Sequence, residues 1–148
     1  MQIWTRIAQI GTNSETINFT NITSMHDLYL KEESYTIIGL CMEVHKILGK
    51  GHSEVVYKDA LEYEFKTNSI PFEREKIYEI EYKDIILPRK YIADFVVYNE
   101  IIFEIKAISQ LTNNDVKQTL NYLASSKNKL GILANFGEDS LKYKRIIL

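Results

Sequence analysis

The chain has 148 residues, 45% hydrophobic and 26% charged, with a formal net charge of −2 and a pI near 5.9. That length suits one domain burying roughly 70% of its unfolded surface, and the mild acidity argues against gripping long duplex DNA by phosphate neutralisation alone. A nucleic-acid enzyme stays compatible with it, because a bound divalent metal supplies positive charge where the phosphate sits.

In chain order, residues 1–30 are rich in Thr, Asn, Ser and Ile and show no sustained period, so they are expected to form a poorly ordered extension ahead of a 31–148 domain. Met25 stands just before that domain and is read as an alternative start. The opening residues lack the apolar core of a secretory signal, and no apolar run approaches the roughly 18 residues of a membrane span. Cys41, the single cysteine, cannot make an internal disulfide and fits a reducing compartment. A cytoplasmic protein without a membrane partner is the expectation, and the sequons at Asn18 and Asn21 are read as accidents.

From Tyr35 to Leu48, Ile37, Leu40, Cys41, Val44, Ile47 and Leu48 follow a helical period, which Gly49-Lys50-Gly51 ends. A second helix is expected from Ser53, as N-cap, through Tyr57, Leu61 and Phe65 to about Asn68, before Pro71. Phe72 to Tyr82 alternates loosely, as an exposed or edge strand does. Lys83-Asp84 reads as a turn, and Ile85 to Leu87 opens a second extended stretch before Pro88. Tyr91 to Ser109 holds two further strands around Asn99-Glu100. Leu111 to Ser125 is helical again, Leu130 to Asn135 suits a strand buried on both faces, and Lys144 to Leu148 allows a last strand. The basic residues Lys142, Lys144 and Arg145 read as a solvated tail. The fold class is α/β, a mixed sheet flanked by helices.

The two strands of Tyr91–Ser109 carry Asp94, Glu104 and Lys106 among Phe95, Val96, Val97, Ile101, Ile102, Phe103 and Ile105. Lone carboxylates in such surroundings are costly unless paired or metal-bound. A two-residue turn would set Phe95 opposite Glu104, whereas an odd-length connection or a bulge brings Asp94 beside Glu104, close enough to share one hard cation. The plain alternative is a salt-bridged edge hairpin whose charges prevent edge pairing.

Asp94 followed by Glu104-Ile105-Lys106 resembles the D…(D/E)-x-K signature of the PD-(D/E)XK nuclease superfamily. Gly51-x-x-Glu54-x-x-Tyr57 matches the motif that names its GxxExxY branch. Gln118 and Tyr122, four apart on the helix after the lysine strand, are similar to the RecB-like members, and Leu130 to Gly137 is similar to the strand that ends the domain. The resemblance covers about Glu33 to Gly137. Ala93 stands in place of the signature proline, and Ile92 where relatives are commonly basic, with Arg89 or Lys90 as substitutes.

The resemblance implies a restriction-endonuclease-like fold with an αβββαβ core and a metal-dependent phosphodiesterase acting on DNA. Asp94, Glu104, the backbone carbonyl of Ile105 and Glu54 would hold Mg²⁺ or Mn²⁺. Lys106 would assist the attacking water, and Gln118 would hydrogen-bond that water or a phosphate. Each has a plainer reading: Glu54 as a carboxylate favoured at a helix start, Lys106 as a charge partner of Asp94, Gln118 as a solvent-facing residue. Tyr57 and Tyr122 read as packing, and His45 and His52 as structural. Repulsion among three carboxylates is expected to destabilise the metal-free protein, so that Asp94→Asn leaves it equally or more stable. The competing class is a non-catalytic nucleic-acid- or protein-binding module of the same fold, working with a protein partner or a second copy of the chain.

Overall fold

The structure is a computed structural model and describes residues 29–148. The expectations for residues 1–28, including the alternative start at Met25 and the two sequons, lie outside the described residues.

Helix α1 (Lys31–Leu48) buries Ser34, Ile37, Ile38, Cys41 and Val44 along one stripe. It begins a turn before the expected Tyr35, with Glu32 and Glu33 in its first turn and His45 and Lys46 in its last, each sign matching the helix dipole at its end. Gly49 stops it with φ 67°, its N–H donating to the His45 carbonyl at 2.8 Å. Helix α2 (Glu54–Thr67) follows Ser53, which takes the N-cap position without a side-chain hydrogen bond, and buries Tyr57, Leu61 and Phe65 at successive turns.

Strands β1 (Phe72–Tyr82), β2 (Ile85–Val97) and β3 (Ile101–Lys106) come next, then α3 (Asn113–Ser126), β4 (Leu130–Asn135) and β5 (Lys142–Ile147). They form one five-stranded sheet in the order β1-β2-β3-β4-β5. Every neighbouring pair is antiparallel except β3 and β4, which α3 connects as a crossover helix, the arrangement parallel neighbours require. This is the mixed sheet flanked by helices that the sequence predicts.

The helices cover opposite faces. Phe95, Val97, Ile101, Phe103, Ile105, Leu130, Ile132 and Ala134 pack with Ile37, Cys41, Val44, Tyr57, Leu61 and Phe65 of α1 and α2. Ala93, Val96, Ile102, Leu133 and Ile146 pack with Tyr122 and Leu123 of α3. Strand β4, between β3 and β5 and covered on both faces, has all six residues buried.

Two expectations need correction. Pro88 does not divide two extended stretches, because β2 runs through it. At that level β2 has β1 as its neighbour, and Pro88 falls at the register shift between Glu79 and Glu81, where the ladder asks for no N–H. The last strand allowed at Lys144 to Leu148 is present as β5, which starts at Lys142, so Lys142, Lys144 and Arg145 lie on it rather than in a solvated tail, and Arg145 donates to the Ser34 hydroxyl at 3.2 Å and to the Tyr29 carbonyl.

Candidate active site

Three residues, Tyr98, Asn99 and Glu100, join β2 to β3. Tyr98 and Asn99 take φ of 55° and 59°, and the Glu100 N–H closes the turn on the Val97 carbonyl at 3.2 Å. The odd length sets the register Val97 to Ile101, Val96 to Ile102 and Phe95 to Phe103, where the ladder stops. The next pair would be Asp94 and Glu104. Side chains replace the missing ladder bonds there: the Ile105 N–H donates to Asp94 Oδ2 at 2.8 Å, and the Asp94 N–H to Glu104 Oε1 at 3.1 Å.

Asp94 is also where β2 turns over. Phe95 and Val97 face the α1/α2 core, whereas Ala93 and Tyr91 face α3. Residues two apart on one strand should share a face, so the chain rotates at Asp94 and lays its carboxylate along the gap opening between β2 and β3. Strand β1 rotates beside it. Arg74 reaches the α2 carboxylates Asp59 and Glu62, while Tyr78 packs on the α3 side, and Glu75 between them has φ 53°. Flanked by Arg74↔Phe95 and Lys76↔Ala93, Glu75 stands across from Asp94.

Glu104 is 4% exposed. Burial, reinforced by the neighbouring Asp94 charge, pushes its pKa up to about 9, so near neutral pH it keeps a proton. Asp94 has a cationic partner, though not the expected one. Lys58 Nζ, on α2, is 2.6 Å from Asp94 Oδ1, with the two side chains 15% and 16% exposed. Burial alone would lower the Lys58 pKa, but the hydrogen bond and charge of Asp94, followed by the charges of Glu75 and Glu54, outweigh it and raise the value.

Lys106 turns towards α3. Its Nζ donates to Gln118 Oε1 at 3.1 Å and lies 3.9 Å from Asp115 Oδ1, so its partners there are these two rather than Asp94. Gln118 Nε2 in turn donates to the Tyr122 hydroxyl at 3.3 Å. Burial, then the Glu104 and Asp94 charges, raises the Tyr122 pKa to about 12. Thr112 and Asp115 cap this helix reciprocally, fixing the turn that presents Asp115 and Gln118 to Lys106.

Glu54 opens α2 one turn before Lys58. Among the described residues no group of three or more His, Cys, Asp or Glu side chains is placed to hold a metal ion; the Glu54 charge reaches Lys58, the partner of Asp94. Tyr57 explains the rest of its motif. Its hydroxyl donates to the Gly49 carbonyl at 2.6 Å and accepts the His52 N–H at 3.3 Å, and its ring stacks on Phe136 at 4.6 Å. The tyrosine thus ties the glycine turn to the start of α2, the helix that carries Glu54 and Lys58.

Sequence reasoning missed two residues here. Lys58 was legible in principle, since a helix burying Tyr57, Leu61 and Phe65 carries positions 54 and 58 together along one flank. Asn135 gave no signal beyond being a polar residue ending an apolar strand. Fully buried, it accepts from the N–H groups of Ile108 and Gly137 at 3.0 and 3.1 Å, and donates to the Ile108 carbonyl and Glu138 Oε2, each at 2.9 Å. With the Phe136 N–H on the Lys106 carbonyl at 2.8 Å, it fixes the chain leaving the lysine strand. His45 joins the same loop through Nε2, 3.0 Å from the Glu138 carbonyl.

The donor set suits a hard divalent cation in part. Asp94 and Glu104 offer carboxylate oxygens side by side, and the raised Glu104 pKa marks a place where added positive charge would be favourable. Lys58 supplies part of that charge to Asp94 already.

A mixed sheet with helices on both faces, carrying adjacent acidic residues and a lysine where two strands part, defines a restriction-endonuclease-like protein. The family model described as the PD-(D/E)XK nuclease superfamily matches residues 31–146, and the chain belongs to that superfamily. Among solved structures it is similar to the crystal structure of SSO0001, with a TM-score of 0.52 and 22% identity over 83% of this chain and 62% of that one. The likeness shows the fold, and this chain spans about three fifths of the length of its match. No curated protein matches the chain. No helix among the described residues is long and apolar enough to cross a membrane.

Proposed function

We propose that the protein is a metal-dependent phosphodiesterase that hydrolyses DNA, and that it belongs to the GxxExxY branch of its superfamily. The observation that carries this reading is the reciprocal pair of Asp94 and Glu104, one turned into the gap between strands and the other buried with a raised pKa, beside the signature lysine. A purely structural hairpin has no need of a buried carboxyl whose ionised form is disfavoured.

Asp94, Glu104 and the Ile105 carbonyl would hold Mg²⁺ or Mn²⁺, with Glu54 brought closer by a side-chain movement. Such an ion, when bound, polarises the scissile phosphate and lowers the pKa of its water. The chain's own residues do the remainder. Glu104 would give up its proton to solvent on serving as a ligand, and Asp94 would keep the Ile105 N–H it accepts at 2.8 Å. Lys106 orients the attacking water and stabilises charge developing on the phosphoryl oxygens. Gln118 fixes the Lys106 ammonium through the 3.1 Å contact, and Tyr122 holds Gln118 from behind. Arg89 and Lys90 on β2 would supply phosphate contacts, Lys90 by leaving its 3.4 Å ion pair with Glu79.

A panel of labelled single- and double-stranded DNA and RNA, with Mg²⁺ or Mn²⁺, tests the reading. Cleavage of DNA by the unaltered protein and its loss in Lys106→Ala are expected. Metal-supported binding with no cleavage of any substrate would instead favour the non-catalytic module.

A further inference from the structure

The Asp94 carboxylate already carries a cation, and it is a different lysine from the one in the nuclease signature. Lys58 Nζ is 2.6 Å from Asp94 Oδ1, both side chains are largely sheltered, and Lys106 is engaged elsewhere with Gln118 and Asp115. An ammonium and a divalent ion on one carboxylate repel each other, the more so as water is excluded, so each weakens the other's hold.

We propose that Lys58 is a resident counter-cation that competes with the divalent metal for Asp94, and that Glu75 receives its ammonium when the metal takes the carboxylate. The proposal rests on the metal-dependent reading of the Asp94–Glu104 pair.

Glu75 is suited to that part by position. It stands across β1–β2 from Asp94, it is exposed, and it occupies a left-handed conformation in mid-strand, which a non-glycine side chain adopts at a cost in backbone energy. That rotation ends one face assignment and begins the next, leaving Glu75 exposed while Arg74 lies over the Phe95 ring beside α2 and Tyr78 packs on the α3 side. Its charge reaches Lys58, as does that of Glu54 one turn back on α2. Lys58 has four rotatable side-chain bonds and so can change partner without moving its helix. The consequence is a site that is held together without metal and whose metal affinity is set by an internal competitor.

The test is calorimetric titration of Mn²⁺ into the full chain and into Lys58→Met, Lys58→Gln, Glu75→Gln and Lys58→Met/Glu75→Gln, each first shown to be folded by its metal-free melting curve. Lys58→Gln keeps a hydrogen-bond donor, so it reports on charge even where Lys58→Met is poorly folded. Both Lys58 variants are expected to bind Mn²⁺ about tenfold more tightly, the scale of one close charge pair. Glu75→Gln is expected to weaken binding severalfold, and to have no effect in the Lys58→Met background, since it acts through the lysine. Lys58→Arg, titrated alongside these, should keep wild-type affinity within about threefold, the charge being retained. Unchanged or weaker binding in both Lys58 variants, with the unaltered protein binding normally, overturns the competition and leaves the metal site standing. An equal Glu75→Gln effect in both backgrounds overturns the role of Glu75. No Mn²⁺ binding by any of these proteins overturns the metal-dependent reading itself.

Discussion

Glu104 makes the metal-free protein less stable as pH rises, and Glu104→Gln should remove that dependence. The carboxyl has an ordinary pKa of 4.5, raised by burial and the adjacent Asp94 charge to about 9 in the folded protein. Below 4.5 both folded and unfolded chains carry the proton, so Glu104 contributes no pH dependence. Between 4.5 and about 9 the unfolded chain has released it and the folded chain retains it. Stability therefore falls as pH rises through that window, by up to about 1.4 kcal/mol per pH unit, and levels off above it. Two or three units of such a slope amount to a few kcal/mol, a large share of a typical domain's stability. Gln at position 104 keeps an acceptor for the Asp94 N–H and carries no charge at any pH. Urea unfolding in EDTA between pH 6 and 8.5 is the assay. The unaltered protein should lose stability steadily across that range relative to Glu104→Gln. Parallel stability curves for the two proteins would show that Glu104 ionises normally, and would refute the electrostatic description of the site.

Metal binding at pH 7 should release about one proton per ion, read by calorimetry in two buffers of different ionisation enthalpy, because the carboxylate must ionise to serve as a ligand. Asp94→Asn should lower metal-free stability by about 1 kcal/mol in urea, since it breaks the sheltered ion pair and leaves Lys58 only the Glu75 and Glu54 charges that also reach it; this reverses the sequence-based expectation that relieved repulsion would leave the variant unharmed. Asn135→Ala should cost about 3 kcal/mol or more by orphaning the Ile108 and Gly137 groups it satisfies, and an unchanged urea midpoint would contradict the clamp. Gly137→Ala should destabilise by about 2–3 kcal/mol, since an added Cβ would lie 2.2 Å from the Ile108 carbonyl oxygen. Gly39→Ala, mid-helix with open space around the new Cβ, should stabilise by about 0.5–1 kcal/mol in the same measurement.

Patterns with a physical period were readable in the sequence. Phe72–Tyr82 and Leu130–Asn135 appear as strands with the expected bounds, because an alternating edge and a doubly covered inner strand each leave a distinct hydrophobic signature. Parity likewise required the odd connection that sets Phe95 against Phe103. Pro88 misled because a proline's tolerance in a strand depends on which neighbours are present at that level, and those are tertiary facts. Lys142–Arg145 read as a tail because an edge strand with few buried residues looks like any charged segment. At the site, Asp94, Glu104 and Lys106 were visible as charges in an apolar segment, but their partners were not. Lys58 is 36 positions from Asp94 and Asn135 is 27 from Ile108, and one sequence carries no record of such contacts. Nor does local pattern reveal the rotation of β1 and β2 at Glu75 and Asp94, which decides where the carboxylate points.

The most direct measurement is an Mn²⁺ titration followed by electron paramagnetic resonance, in which the free ion's six-line signal reports what remains unbound, for the unaltered protein, Asp94→Asn and Glu104→Gln. The expected result is that the unaltered protein depletes the free-ion signal, whereas both variants leave most of it in place at the same concentrations. Equal depletion by all three proteins, or none by any, would contradict a metal centre built on Asp94 and Glu104.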